Sequence, residues 1–187
     1  EVGLEFLLDD FNASLLKEEF HVNFIFVVDI RTSDSSKEIA SKFSDIVIDQ
    51  RETTGKGAAV RQAVEFWKKH STPFVIFLDA DGSYSFDSVL NLLRELQDDA
   101  DVVSGSRFTP GQGRPEGMSR LHNFGNQILS KISSLRNRRN ISDLCTGLWG
   151  FREKALFSMN LKSGGFDLEA ELAGQCRRKN LLHKEVN

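Results

Sequence analysis

The stretch Pro73-Phe74-Val75-Ile76-Phe77-Leu78-Asp79-Ala80-Asp81-Gly82-Ser83-Tyr84 constrains the fold more than any other part of the chain. A run of large apolar side chains ends abruptly in two carboxylates, a glycine and a serine. The run is rich in β-branched and aromatic residues and too short for a typical helix, so it reads as a strand buried on both faces. Strand residues two apart point the same way, so Asp79 and Asp81 can converge where the strand stops. In open α/β sheets that end is where ligands sit. Two carboxylates with nothing apolar after them suit a hard divalent cation, Mg²⁺ or Mn²⁺, which takes few protein oxygens and shares the rest with water and phosphate. The same residues also read as an ordinary turn leading into a helix capped near Ser85, since turns favour acids and glycine. On these residues alone the two readings stand level.

The flanking pattern alternates strand and helix. Residues 1–17 read as a helix, with Leu4, Leu7, Leu8, Phe11 and Leu15 on one face. Phe24–Asp29 reads as a second buried strand ending in an acid, Ser33–Phe43 as a helix, and Ile46–Ile48 as a short strand. Gly55-Lys56-Gly57 opens a helix whose Val60, Ala63, Val64 and Trp67 share a face. The stretch 85–97 reads as a helix with Val89, Leu92, Leu93 and Leu96 inward, and 101–105 as a strand. Thr109–Gly117 reads as a mobile, Gly- and Pro-rich loop holding Arg114 and Glu116. Leu121, Phe124, Ile128, Ile132 and Leu135 mark a long amphipathic helix. A last helix carries Leu168, Leu172 and Cys176, and 181–186 reads as a closing strand. The alternation predicts a mostly parallel sheet covered by helices on both faces. Such a sheet normally opens with a strand, whereas this chain opens with a helix, so the first strand is either absent from the sequence or replaced by another element.

The 187 residues suffice for one domain with a proper core. A net charge of −3 gives no general attraction to nucleic acid. No apolar run reaches the length of a membrane span, and no signal peptide opens the sequence. Two cysteines, Cys145 and Cys176, make no disulfide scaffold; two buried thiols in a reducing cytosol are expected.

Other residues add chemistry, each with a plainer alternative. Asp29 ends a strand as Asp79 does, which suggests one cleft, or only a helix-entry acid. Gly55-Lys56-Gly57 can present backbone N–H groups and an ammonium to phosphate, or form a simple turn. Arg107 follows a strand and Arg120 follows the loop; both offer forked donors suited to phosphate, or are solvated charges. Asp143–Gly150 combines an acid, small residues and Trp149, which suits a sugar-binding wall or a packed turn. Glu169 and Glu171 start the last helix, where the helix dipole alone favours acids. Arg136–Arg139 reads as a solvated loop or as a contact with an anionic membrane surface.

In this order the residues resemble family-two glycosyltransferases with the Rossmann-like nucleotide-diphospho-sugar transferase fold, most closely the polyprenyl-phosphate glycosyltransferases. Val27-Val28-Asp29 with Ser33 and Asp34 is similar to the family's Val-Val-Asp-Asp-Gly-Ser-x-Asp. Gly55–Ala59, Asp79–Tyr84 and Asp101–Phe108 resemble its helix start, its metal motif and its Asp-Val-Val-x-Gly-Ser-Arg-Phe segment. Asp143 with Thr146-Gly147 and Phe151-Arg152 resembles the acceptor-side motif, and Gly165–Leu172 with Lys184–Val186 the closing helix and strand. The sequence departs from the pattern at Ile30-Arg31, which replaces Asp-Gly, and at Ser83, where some lipid-phosphate synthases carry a metal-binding Gln. The family's first strand is missing.

The resemblance implies a single catalytic domain over 1–187, three-layered and truncated at both ends. It implies an inverting transfer of a sugar from a UDP- or GDP-sugar to a polyprenyl phosphate, assisted by Mg²⁺ or Mn²⁺, at the cytoplasmic face of a membrane. Asp79 and Asp81 would hold ribose, diphosphate and metal; Asp29, Lys56, Gly57 and Arg107 would bind the nucleotide sugar. Arg107, Arg120 and Asp143 would serve the acceptor, with Glu169 and Glu171 joining Asp79 and Asp81 as catalytic candidates. The alternatives are transfer to a hydroxyl acceptor, which needs a general base from Glu169, Glu171 or Asp143, and a non-catalytic nucleotide-sugar-binding module. A nucleotidyltransferase would want a glycine-rich basic signature near the N-terminus that this sequence lacks.

Overall fold

The structure is a computed structural model and describes residues 2–12, 22–44, 46–50, 55–108 and 118–187. Its elements in chain order are α1 (Val2–Asn12), β1 (Phe26–Asp29), α2 (Ser36–Phe43), β2 (Val47–Gln50), α3 (Lys56–Trp67), β3 (Phe74–Leu78), α4 (Phe86–Asp98), β4 (Val102–Gly105), α5 (Arg120–Asn137), β5 (Leu148–Arg152), α6 (Glu153–Ser158), α7 (Leu168–Arg178) and β6 (His183–Val186). The alternation read from the sequence is present. Leu15 and the loop 109–117 lie outside the described residues.

Strands β1 and β2 pair in parallel, and a second sheet has the order β3-β5-β4-β6. Within it β4 and β6 are parallel, while β5 runs antiparallel to both β3 and β4. Strand β5 is the element the sequence concealed. Its Gly147-Leu-Trp-Gly150 surroundings look like a turn, and its identity depends on pairing with strands more than 40 residues away in sequence. Trp149 is therefore not a sugar-binding wall: it is buried, stacked 6.2 Å from Phe151 and 5.2 Å from His183.

Side chains alternate across the sheet, as a two-residue period requires. Val102, Trp149 and Phe151 face one layer with Leu156, Leu168 and Leu172; Val103 and Leu148 face the other with Leu92, Leu93 and Leu96. The expectation of a β3 buried on both faces is corrected to half-buried along its whole length, because only β5 pairs with it among the described strands. Helix α4 follows its sequence signals closely. Ser85 caps it, accepting from the Ser88 N–H, and its buried positions are Phe86, Val89, Leu90, Leu92, Leu93 and Leu96. The thiol expectation also needs correction: Cys176 is buried, but Cys145 is exposed.

Strand β6 closes the sheet with a half-buried imidazole. His183 Nε2 lies 2.9 Å from Ser104 Oγ, and desolvation, helped by the nearby Arg139, pushes its pKa down to about 4 from an ordinary 6.5. The unfolded chain therefore takes up this proton before the folded one does, and the contribution to stability is lost as pH falls from about 6.5 towards 4. Wild type is expected to lose about 1–2 kcal/mol more than His183→Gln between pH 7 and pH 5 in urea titrations. Equal losses in the two proteins would contradict this.

Candidate active site

The turn after β3 is held at both ends by the segment leading into β5. The Asp79 N–H donates to the Gly147 carbonyl at 2.9 Å. Five residues on, the buried Tyr84 hydroxyl lies 2.5 Å from Thr146 Oγ1, and burial pushes its pKa up to about 12. Between these anchors Gly82 takes a positive φ of 79°, and Asp81 Oδ1 accepts the Ser83 N–H at 2.9 Å. Asp81 remains exposed. Gly147 is required for space: a Cβ there would sit 2.5 Å from Asp79 Oδ2. Asp79–Gly82 is thus a turn, as the plainer reading expects, and it carries two carboxylates just past the end of β3.

Lys56 ties three elements together. Its Nζ lies 2.8 Å from Asp79 Oδ2 at the tip of β3 and 2.8 Å from Glu169 Oε1 in the first turn of α7. Glu169 is buried and the Lys56 side chain is only 20% exposed. Burial by itself would lower the Lys56 pKa, but the two carboxylates outweigh it and hold the ammonium above its ordinary value. The glycines on either side admit the 163–165 backbone. Gly55 has φ +109°, and a Cβ on Gly57 would lie 2.5 Å from the Ser163 carbonyl oxygen. The Ala58 N–H donates to the Gly164 carbonyl at 3.3 Å, so the start of α3 is partly spent on holding this turn.

A second charged pair lies at the end of β4. Arg107 Nε donates to Asp143 Oδ2 at 2.8 Å and one terminal nitrogen to Oδ1 at 2.9 Å, a bidentate fork. The same terminal nitrogen reaches the Cys145 carbonyl at 2.7 Å. The Asp143 side chain is fully buried and also accepts from Asn126 Nδ2 at 2.7 Å. The hydrogen bonds to Asp143 raise the Arg107 pKa well above its ordinary value. Beneath, the Glu185 carboxylate accepts the Ser142 and Asp143 N–H groups; desolvation raises its pKa against those bonds. Asn126 and the motif residues Thr146, Gly147 and Glu185 thus position the site.

The other candidates lie as follows. Asp29 ends β1, and Arg31 grips both of its oxygens, at 3.0 and 2.7 Å; this hydrogen bonding lowers its pKa to about 2. The Arg31 that breaks the family motif is therefore the residue occupying Asp29. Arg120 begins α5 and is exposed. Glu171 accepts the Lys162 and Ser163 N–H groups at 2.9 Å and so organises the turn before α7. Another acidic group, Glu95, Asp98 and Asp99, lies elsewhere and faces Lys184. A groove of about 560 Å³ lies between α3 and residues 156–161, away from the strand tips.

The donor set fits a hard divalent ion. Asp79 and Asp81 offer only carboxylate oxygen, and Asp81 Oδ2 has no partner among the described residues. Lys56 beside Asp79 supplies a fixed cation next to the same place, so the tip suits an anionic ligand with an ion.

The glycosyl transferase family 2 profile matches residues 7–157. The chain belongs to that family. Glycosyltransferase AglJ of Haloferax volcanii is 32% identical over 157 residues, 84% of this chain and 50% of that protein. The dolichyl-phosphate hexose transferase of the same organism is 34% identical over 125 residues, 67% of this chain and 52% of that protein. The chain therefore spans about half the length of these curated relatives. Among solved structures, glucosyl-3-phosphoglycerate synthase from Mycobacterium tuberculosis in complex with Mn²⁺, uridine diphosphate and phosphoglyceric acid superposes with a TM-score of 0.74. It is 15% identical, and the match covers 99% of this chain and 64% of that one. At that identity the likeness shows the α/β nucleotide-sugar transferase fold.

Proposed function

We propose that this glycosyl transferase family 2 chain moves a sugar from a nucleotide-diphosphate sugar to a polyprenyl phosphate, with inversion at the anomeric carbon. The observation that carries the choice of acceptor is the state of the three carboxylates that could act as general base. Glu169 is paired with Lys56, Asp143 with Arg107 and Asn126, and Glu171 with two backbone amides. A hydroxyl acceptor needs a free base, whereas a phosphate is already ionised at neutral pH. The name of the dolichyl-phosphate hexose transferase points the same way.

In this reading Asp81, with Asp79, would hold Mg²⁺ or Mn²⁺, which when bound would supply positive charge to neutralise the departing diphosphate. Lys56 fixes the Asp79 carboxylate and adds positive charge beside the diphosphate. Arg107, held in one orientation by Asp143, presents its remaining terminal nitrogen to a phosphate. Arg120, the first residue of α5, serves the acceptor side, and Asp29 and Gly57 the nucleotide side. A lipid-borne acceptor makes the chain peripheral at a membrane's cytoplasmic face. Among the described residues no helix is long and apolar enough to cross a membrane.

The test offers labelled UDP- and GDP-sugars with Mn²⁺ to detergent-dispersed polyprenyl phosphate and to a panel of soluble hydroxyl acceptors. Product on the polyprenyl phosphate alone is expected. Product on the hydroxyl panel alone would replace this reading with its hydroxyl alternative, and nucleotide binding without any product would make the chain a binding module.

A further inference from the structure

Helix α5 is built inside out. Its buried residues are Asn126, Ser130, Ser133 and Asn137, whereas Leu121, Phe124, Ile128, Ile132 and Leu135 are exposed, Leu121 by 77% and Leu135 by 81%. The polar face has work to do: Asn126 Oδ1 accepts the Cys145 N–H, Ser130 Oγ the Leu144 N–H, and Ser134 Oγ the Ile141 N–H. That face builds the loop that holds Asp143, so the helix cannot turn its apolar stripe inward without dismantling the site. At roughly 100° per residue the five apolar side chains fall within an arc of about 80°, opposite the buried polar residues. A soluble surface rarely leaves so continuous a stripe without a partner.

The charge around the stripe identifies the occupant. Residues 118–142 contain Arg120, Lys131, Arg136, Arg138 and Arg139 and no acid, in a chain whose net charge is −3. On the helical projection Arg120 and Lys131 fall along one margin of the stripe and Arg136 along the other; all three are exposed. An apolar stripe edged by cations on both margins is the pattern of a helix lying in the headgroup region of an anionic bilayer. A second copy of the chain would bring the same cations against each other.

We infer that α5 inserts its Leu121–Leu135 stripe into an anionic lipid surface and thereby seats the active site on the membrane. This rests on the reading of a lipid-borne acceptor and names the element that meets the lipid. It also gives the basic cluster 136–139 a place: Arg136 lies in the last turn of the inserting helix and Arg138 caps it.

The experiment is co-sedimentation of the 187-residue chain with phosphatidylcholine vesicles containing about one-third phosphatidylglycerol, and with pure phosphatidylcholine vesicles. The comparison variant is Ile128→Asp/Ile132→Asp, whose positions are exposed and so leave the core intact. Wild type is expected to partition to the anionic vesicles at low salt, at least tenfold more than the variant and more than to neutral vesicles, with the difference shrinking at high salt. Equal partitioning of wild type and variant, or no binding to anionic vesicles at low salt, would overturn the inference. A dimer in analytical ultracentrifugation that the variant abolishes would overturn it too, by assigning the stripe to a second copy. Transfer to detergent-dispersed polyprenyl phosphate is measured alongside. If vesicle binding fails while that transfer persists, the inserting helix is wrong and the acceptor is right; the reverse outcome separates them the other way.

Discussion

Asp81→Ala is expected to lower metal-dependent sugar transfer by at least a hundredfold while leaving the fold almost unchanged. The size follows from the job: removing a group that stabilises charge developing on a leaving group commonly costs on the order of 10²–10³ in rate. The small structural effect follows from exposure. Asp81 touches the Ser83 N–H and lies outside the packed layers, so its loss costs about 1 kcal/mol or less. Turnover numbers with Mn²⁺ and urea midpoints for the same preparations separate the two effects. Unchanged turnover would remove Asp81 from the chemistry, and a collapsed midpoint would recast it as a structural turn residue.

Arg107→Ala is expected to behave in the opposite way, with a large loss of stability. The Asp143 side chain has no solvent exposure and would lose both arms of the Arg107 guanidinium, keeping Asn126 and the residue-107 N–H. Leaving one member of a buried pair uncompensated costs about 3–5 kcal/mol; a value near about 3 is expected because a quarter of the Arg107 side chain is exposed. Asp143→Asn in the Arg107→Ala background should restore part of that loss, since the neutral amide has no charge to leave unpaired. Urea titration of the four proteins of this cycle reads it directly. Additive losses would show that the two side chains are not coupled and that the fork contributes nothing to holding the site.

Much of this architecture was legible in the sequence because it depends on local signals. The apolar run ending at Asp79, the Ser85 cap and the spacing of Val89, Leu92, Leu93 and Leu96 each specify an element from neighbours within a few residues. What stayed hidden depends on distant ones. Strand β5 reads as a turn until β3 and β4 are placed on either side of Gly150, whose missing side chain gives room to Leu92. The apolar spacing of α5 announced an amphipathic helix correctly, but periodicity does not say which face meets the protein. The serines and asparagines turn inward because the 141–145 backbone needs their hydrogen bonds.

The site shows the same division. Residue types flagged Asp79, Lys56, Arg107, Asp143 and Glu169, and the structure joins them as two ion-paired groups, Asp79–Lys56–Glu169 and Arg107–Asp143. It engages Glu171 with the 162–163 backbone and Asp29 with Arg31. No spacing rule links Lys56 to Glu169, more than a hundred residues later, and nothing in the residue type of Gly147 announces that it leaves room for Asp79.

The central claim is that the carboxylates at the tip of β3 hold the ion that meets the nucleotide diphosphate. Crystals grown with Mn²⁺ and uridine diphosphate, with anomalous-difference maps calculated at the manganese edge, test it most directly. The expected result is a manganese peak within bonding distance of an Asp81 carboxylate oxygen and of the diphosphate. A peak confined to Glu95, Asp98 and Asp99, or diphosphate bound with no manganese at Asp81, would contradict it.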